Sequence, residues 1–101
     1  MNKMILAENG QMRIGTLNAI LVAVFDATNS SLSAHVPLEA IPRRFPGHLR
    51  GDVRRCIKEL TKRGLLTLHP TRGSTTYQLT QRGLECATKL TKGEISSIEE
   101  C

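Results

Sequence analysis

The sequence predicts a single small α+β domain that is mainly helical, and three observations support this prediction. Residues 49–63 place apolar side chains at i, i+4, i+7, i+8 and i+11, which is the spacing of one face of an α-helix. Apolar and polar residues alternate with a period of two on both sides of residues 70–74, which is typical of a β-hairpin with a five-residue loop. After the hairpin, Thr80 has a side chain suited to N-cap a further helix with apolar residues at helical spacing.

The first helix is predicted over residues 13–27, after an N-terminal arm of residues 1–11. Its apolar residues occupy more than one side, and such a helix lies either at the centre of a fold or at an interface. We therefore predict that it contributes to a homodimer. The alternative is that the additional apolar residues pack on the C-terminal helix of the same chain. The predicted interface residues are Ile14, Leu17, Ile20, Leu21 and Val24.

The segment between the first helix and residue 49 is predicted to be irregular. Residues 34–36 have the composition of a brief strand that could pair with the hairpin. Pro37 suits the first turn of a short second helix. Pro42 cannot lie deep inside a helix, so this second helix should stop near Ile41 or be distorted.

Glycines mark the ends of the later helices. Gly64 sits where a helix C′ residue adopts the left-handed conformation, with Leu65 positioned to pack back on the helix. Gly83 weakens the last helix, predicted over residues 81–91, but would allow another segment to pack closely. Lys92 and Gly93 should end that helix, and residues 92–101 are predicted to form a mobile tail.

Positive charge is concentrated in the middle of the chain. The formal net charge is +5, but residues 43–72 hold nine lysines and arginines against two acidic residues. Arg50, Arg54 and Lys58 follow one another at i, i+4 and i+8, on a different side of the helix from its apolar stripe. This distribution favours an anionic partner, while the alternative is a solvated basic surface.

The order of these features resembles a known family. The pattern Val53-x3-Ile57-x2-Leu60-x3-Gly64-Leu65-Leu66, a hairpin and then Tyr77-Gln78-Leu79-Thr80-Gln81-Arg82-Gly83 resembles the winged helix-turn-helix domains of MarR-, ArsR- and PadR-like transcription regulators. The resemblance covers about residues 13–90, and we assign residues 12–91 to the domain. It implies a three-helix core with a β-hairpin wing and a C-terminal helix. The proline-rich turn of residues 42–47 departs from the family pattern.

The resemblance implies a function in transcription regulation. A cytoplasmic homodimer would bind double-stranded DNA, with helix 49–63 in the major groove and wing 70–74 on the backbone or minor groove. Arginine suits this role because it pairs with the O6 and N7 atoms of guanine. The candidate DNA-binding residues are Arg43, Arg44, His48, Arg50, Arg54, Arg55, Lys58, Thr71, Arg72 and Ser74. The alternatives are a winged-helix protein-interaction module within a larger assembly and a double-stranded RNA binder that recognises shape.

Other function classes find little support in the sequence. There is no glycine-rich phosphate loop, no pair of carboxylates and no plausible Ser/His/Asp set, so an enzyme is not expected. The scarcity of aromatic residues, 3% of the chain, argues against an aromatic effector or single-stranded RNA. The longest apolar run, residues 19–25, is too short to span a bilayer.

The three cysteines indicate no disulfide framework. Their number is odd and no CxxC spacing occurs, which suggests a reducing cytosol. Cys56 lies on the apolar face of its helix and is predicted to be a small core residue. A zinc site made from Cys56, Cys86 and His69 would lack the spacing of a zinc finger, so we expect neither a metal nor a cofactor.

Overall fold

The structure, a computed structural model, describes residues 14–101, and these residues form the α+β, mainly helical fold that the sequence predicts. The predicted arm of residues 1–11 and the helix start at Arg13 lie outside the described residues. Four 3-10 turns connect the regular elements or follow them. The elements are α1 (Ile14–Ala27), β1 (Val36–Pro37), α2 (Arg50–Lys62), β2 (Leu66–Thr71), β3 (Ser74–Leu79) and α3 (Gln81–Thr91).

The sheet is antiparallel, with strand order β1-β3-β2. The expected strand at residues 34–36 is confirmed in part, because β1 pairs Val36 with Tyr77 of β3. The predicted five-residue hairpin loop is wrong. The two strands continue to a Thr71–Ser74 pair, which leaves only Arg72 and Gly73 in the turn. Pro70 is tolerated inside β2 because β2 is an edge strand of this sheet.

The distortion expected from Pro42 is confirmed. Instead of one second helix, the chain makes two short 3-10 turns, Leu38–Ala40 and Pro42–Arg44. A third turn, Gly47–Leu49, leads directly into α2 at Arg50. The segment before α2 is therefore a series of single turns, which places Leu49 just outside the α-helix.

The predicted helix ends are confirmed by their hydrogen bonds. Gly64 has a φ of 79°, and the Leu65 N–H donates to the carbonyl of Leu60 at 3.0 Å, which is the bond that closes a Schellman motif. Thr80 N-caps α3, since its Oγ1 accepts from the Gly83 N–H at 2.9 Å. At the other end of α3, Gly93 has a φ of 75°. Local hydrogen bonds and glycine conformations thus determine the end of α2 and both ends of α3.

α1 is the centre of the core, which corrects the predicted dimer interface. It packs against α2, α3 and the C-terminal 3-10 turn Ile98–Glu100. Four of the proposed interface residues are 0% exposed, and Ile14 is half-buried against the same core. Their apolar character is explained by burial within one chain, which was the alternative considered for this helix. The four fully buried residues are Leu17, Ile20, Leu21 and Val24.

The core is aliphatic, as the composition predicts, with Tyr77 as its one buried aromatic side chain among the described residues. Cys56 is 3% exposed and packs in this core, which confirms its predicted place. Leu68 departs from the hairpin pattern. It lies on the same side of β2 as buried Leu66, yet it is 51% exposed.

The C-terminal residues follow a defined path, in contrast to the mobile tail expected for residues 92–101. Ile98 is buried, and its N–H donates to the Oδ1 of Asn18 on α1 at 2.8 Å. Cys101 forms a disulfide with Cys86 of α3. This bond corrects the expectation that the cysteines stay reduced, and it removes the support that they gave to a reducing cytosol. The sequence did not predict that Cys86 and Cys101 are paired, because their separation of 15 residues matches no recognised cysteine motif.

Ser96→Ala should raise the pKa of Glu100 towards its usual value of 4.5. Hydrogen bonds from the backbone N–H of Ser96 and from its hydroxyl lower this pKa, and both reach Glu100 Oε2, at 3.0 and 2.8 Å. Because the folded-state pKa is lowered, the stabilisation is present above the unfolded pKa and is lost as pH falls through the folded one. An NMR titration of the carboxyl group measures the change. An identical pKa in the variant would show that the hydroxyl contributes nothing.

Within residues 14–101, no helix combines the length and the apolar character that crossing a membrane requires.

Candidate nucleic-acid interface

α2 has one side fixed in the core and one side in solvent. Its four apolar residues are at most 3% exposed, and they hold the helix against α1 and the sheet. The opposite side carries the exposed cations Arg50, Arg54 and Lys58, with Arg55 beside them. We call these four residues the basic side of α2. Since the buried side fixes the rotation of the helix, the basic side keeps one orientation relative to the core. The buried residues are Val53, Cys56, Ile57 and Leu60.

Two 3-10 turns pack against α2 and carry further candidate residues. Pro42 is buried and anchors the turn in which Arg43 and Arg44 are exposed. His48 is exposed in the turn that leads into α2. The structure therefore brings these three candidates to segments that adjoin the helix.

Two of the predicted DNA-reading arginines already have carboxylate partners. Arg54 Nη2 lies 2.6 Å from Glu39 Oε1, and the two side chains are 45% and 58% exposed. Arg55 pairs with Asp52 one turn away on α2. A third pair joins Arg63 to Glu59 at 2.8 Å, at the ordinary i, i+4 spacing of a helix ion pair. Exposed pairs of this kind contribute only about 0.2–1 kcal/mol each, so an anionic partner could replace the carboxylates at small cost.

Glu39 is the residue that sequence reasoning missed. It lies 15 residues before Arg54 and outside the interval over which the charge excess was counted. No helical spacing relates the two residues, since Glu39 belongs to the 3-10 turn Leu38–Ala40. Asp52 could have been found, because its i, i+3 spacing to Arg55 is a regular ion-pair spacing.

The remaining cations of the candidate site make no ion pair with any residue of the described chain. They are exposed on three different segments, namely the turn before α2, α2 itself and the hairpin. An anionic partner would therefore not have to displace a carboxylate from them. They are Arg43, Arg44, Arg50, Lys58 and Arg72.

The hairpin turn forms a second, separate place of positive charge. Arg72 is exposed in the turn, and the flanking Thr71 donates from Oγ1 to the carbonyl of Ser74 at 2.9 Å. α2 leads into the other end of β2, at Leu66. The five residue steps from Leu66 to Thr71 span about 17 Å of strand, and Arg72 follows at the far end of β2. Arg72 could therefore contact an anionic partner at a point separate from the basic side of α2.

No group of three or more His, Cys, Asp or Glu side chains in residues 14–101 is arranged to hold a metal ion.

Comparisons with protein-family models, with curated proteins and with solved structures found no match to this chain.

Proposed function

We propose that this chain is a winged helix-turn-helix domain that binds double-stranded DNA and acts as a small transcriptional regulator. In this proposal α2 enters the major groove and the Arg72 turn contacts the backbone or the minor groove. The observation that carries the proposal is the division of α2 into a buried apolar side and an exposed basic side. A helix fixed in this way presents cations at a constant spacing, as contact with a phosphate backbone requires.

The described fold is compatible with this proposal. A β-hairpin follows α2, as a wing follows the reading helix in the family that the sequence resembles. The short turns before α2 take the place of a regular second helix. They bring Arg43, Arg44 and Glu39 close to the reading helix, so DNA contacts would extend from α2 onto this segment.

The proposal includes a homodimer, because two-fold symmetric proteins of this type read two half-sites about one DNA turn apart. The buried residues of α1 are not available for this contact, so the dimer would use a different surface. The mass of the protein and of its DNA complex, measured by light scattering, tests this part. One protein chain per duplex at saturation would contradict it.

Salt dependence tests the proposed function. If each of the five cations that pair with no residue of 14–101 contacts a phosphate, the slope of log K against log salt should be about −4.5. Affinity for duplex DNA should then fall roughly 500-fold between about 50 and 200 mM salt. Fluorescence anisotropy with duplexes selected from a random pool measures both the slope and the preference for sequence.

A second candidate function is supported by the ion pairs of α2. Glu39 and Asp52 show that carboxylates fit the guanidinium groups of Arg54 and Arg55, so an acidic protein surface could bind there. An acidic peptide and duplex RNA of the selected sequence therefore belong in the same titration. Tighter binding of the peptide would favour an interaction module, and equal binding of duplex RNA and DNA would favour recognition of shape. No binding of duplex DNA at low salt would reject the proposed function.

A further inference from the structure

The disulfide between Cys86 and Cys101 is accessible from one side only. Cys86 is 1% exposed in the core, while Cys101 is exposed at the surface. Thiol–disulfide exchange proceeds by attack of a thiolate on one sulfur, and the rate depends on access to that sulfur. An external thiol therefore approaches the disulfide from the side of Cys101, so that the Sγ of Cys86 is the leaving atom.

Cys101 lies at the wall of a pocket of about 320 Å³. The pocket is formed where the end of α2, the start of α3 and the C-terminal residues meet. Its lining includes two arginines and one glutamate in addition to Cys101. The lining residues are Arg63, Leu65, Arg82, Ile98, Glu99 and Cys101.

The two arginines of the pocket keep N–H groups for a ligand. Arg82 uses Nη1 to donate to the carbonyl of Arg63 at 3.3 Å, and Arg63 uses Nε to donate to Glu59 at 2.8 Å. A guanidinium group has five N–H donors, so each of these contacts occupies only part of the group. The remaining donors suit a carboxylate, which guanidinium binds through two parallel hydrogen bonds.

We propose that this pocket binds an anionic low-molecular-weight thiol and that the bound thiol exchanges with the Cys86–Cys101 disulfide. A peptide thiol of the glutathione type, with two carboxylates and one ammonium group, matches two guanidinium groups and one carboxylate. Arg63 and Arg82 bind the ligand carboxylates, and Glu99 binds its ammonium group. This inference is independent of DNA binding, because it uses no residue of the basic side of α2.

The exchange balances in two steps. The ligand thiolate attacks Sγ of Cys101, the protein S–S bond breaks, and Cys86 leaves as a thiolate that takes a proton from water. A second ligand thiolate then attacks the ligand sulfur of the mixed disulfide, which releases the ligand disulfide and the thiolate of Cys101. Two protein thiols are formed and two ligand thiols are oxidised to one disulfide.

The consequence for the fold is local. Reduction removes the covalent link between the C-terminal residues and α3. The hydrogen bond from Ile98 to Asn18 and the burial of Ile98 remain to hold the segment on α1. The pocket itself has the released segment as one wall, so reduction also loosens the ligand site.

The test compares an anionic and a neutral thiol on the oxidised full chain. Glutathione and 2-mercaptoethanol are applied at equal thiolate concentration, and acid-quenched samples are analysed by mass spectrometry for mixed disulfide and free thiols. The rate with glutathione should saturate as its concentration rises, whereas the rate with 2-mercaptoethanol should increase linearly. A linear dependence for both thiols would overturn the proposed binding site.

Variants of the pocket arginines provide the second part of this test. Arg82→Gln should slow exchange with glutathione roughly tenfold, because a charged hydrogen bond is lost, and should leave the rate with 2-mercaptoethanol unchanged. Arg63→Gln should show the same selectivity. Lys89→Gln is the matched control, since it removes one exposed charge of α3 without lining the pocket. Faster exchange with both thiols would identify a variant that had lost its fold, whereas unchanged or equally slowed exchange with both thiols would reject the proposal.

Discussion

Gly83→Ala should lower the free energy of unfolding by about 2–3 kcal/mol, at the upper end of what overpacking costs. A Cβ atom at this position would lie 1.9 Å from the carbonyl oxygen of Leu65 and 2.9 Å from its carbonyl carbon. Both atoms belong to the backbone, so no side-chain rotation can relieve the contact. The carbonyl of Leu65 also accepts the N–H of Thr80 at 3.2 Å, and a shift of either segment would weaken that bond. Urea denaturation of the oxidised protein measures the loss.

Gly51→Ala is the matched control for this prediction. Gly51 is the second residue of α2, and a Cβ atom there would have no heavy atom within 4 Å. The same substitution should therefore stabilise the fold by about 0.5–1 kcal/mol, because alanine has the higher helix propensity. If Gly83→Ala were as stable as the wild type, the close approach of α3 to Leu65 would be contradicted.

These two glycines illustrate which parts of the fold can be predicted from sequence. The cap at Thr80 and the stop at Gly64 depend on atoms within a few residues, so the sequence contains the complete signal. The contact of Gly83 with Leu65 depends on the path of the hairpin between them. The sequence could indicate only that a glycine in a helix permits close packing.

The same distinction explains the error over α1. Periodicity showed that Leu17 and Ile20 must be buried, but it contains no information on what covers them. Part of the cover is the 3-10 turn at Ile98, which sequence reasoning assigned to a mobile tail. The acidic C-terminal segment has only two isoleucines, Ile95 and Ile98, which are too few to show an apolar period. Even so, Ile98 is buried in the core.

Long-range pairs were the largest gap in the candidate site. The Glu39–Arg54 pair and the Cys86–Cys101 disulfide each join residues 15 positions apart on different elements. Neither pair follows a helical or strand period, and only the packed fold brings the partners together. The exposed cations themselves were predictable, because α2 has a strict division between apolar and charged positions.

The double substitution Arg54→Ala and Arg55→Ala should weaken binding of duplex DNA by about 2–4 kcal/mol, or roughly 30- to 1,000-fold. Two arginine contacts to bases or phosphates would be lost from the centre of the basic side. In addition, Glu39 would lose its partner Arg54 and repel the phosphate backbone. Anisotropy titrations of the selected duplex at one salt concentration measure the change.

The loss of affinity can be separated from a loss of structure. Arg54 and Arg55 are exposed, and their ion pairs contribute little to stability, so the melting temperature should stay near that of the wild type. Lys89→Ala with Lys92→Ala removes the same charge from α3 and its C-cap, and it should change affinity by less than about threefold.

Glu39→Gln should preserve or increase affinity, because it releases Arg54 for the partner. If the α2 and α3 double variants bind DNA equally well, the basic side of α2 is not the reading surface, and net charge alone explains the binding.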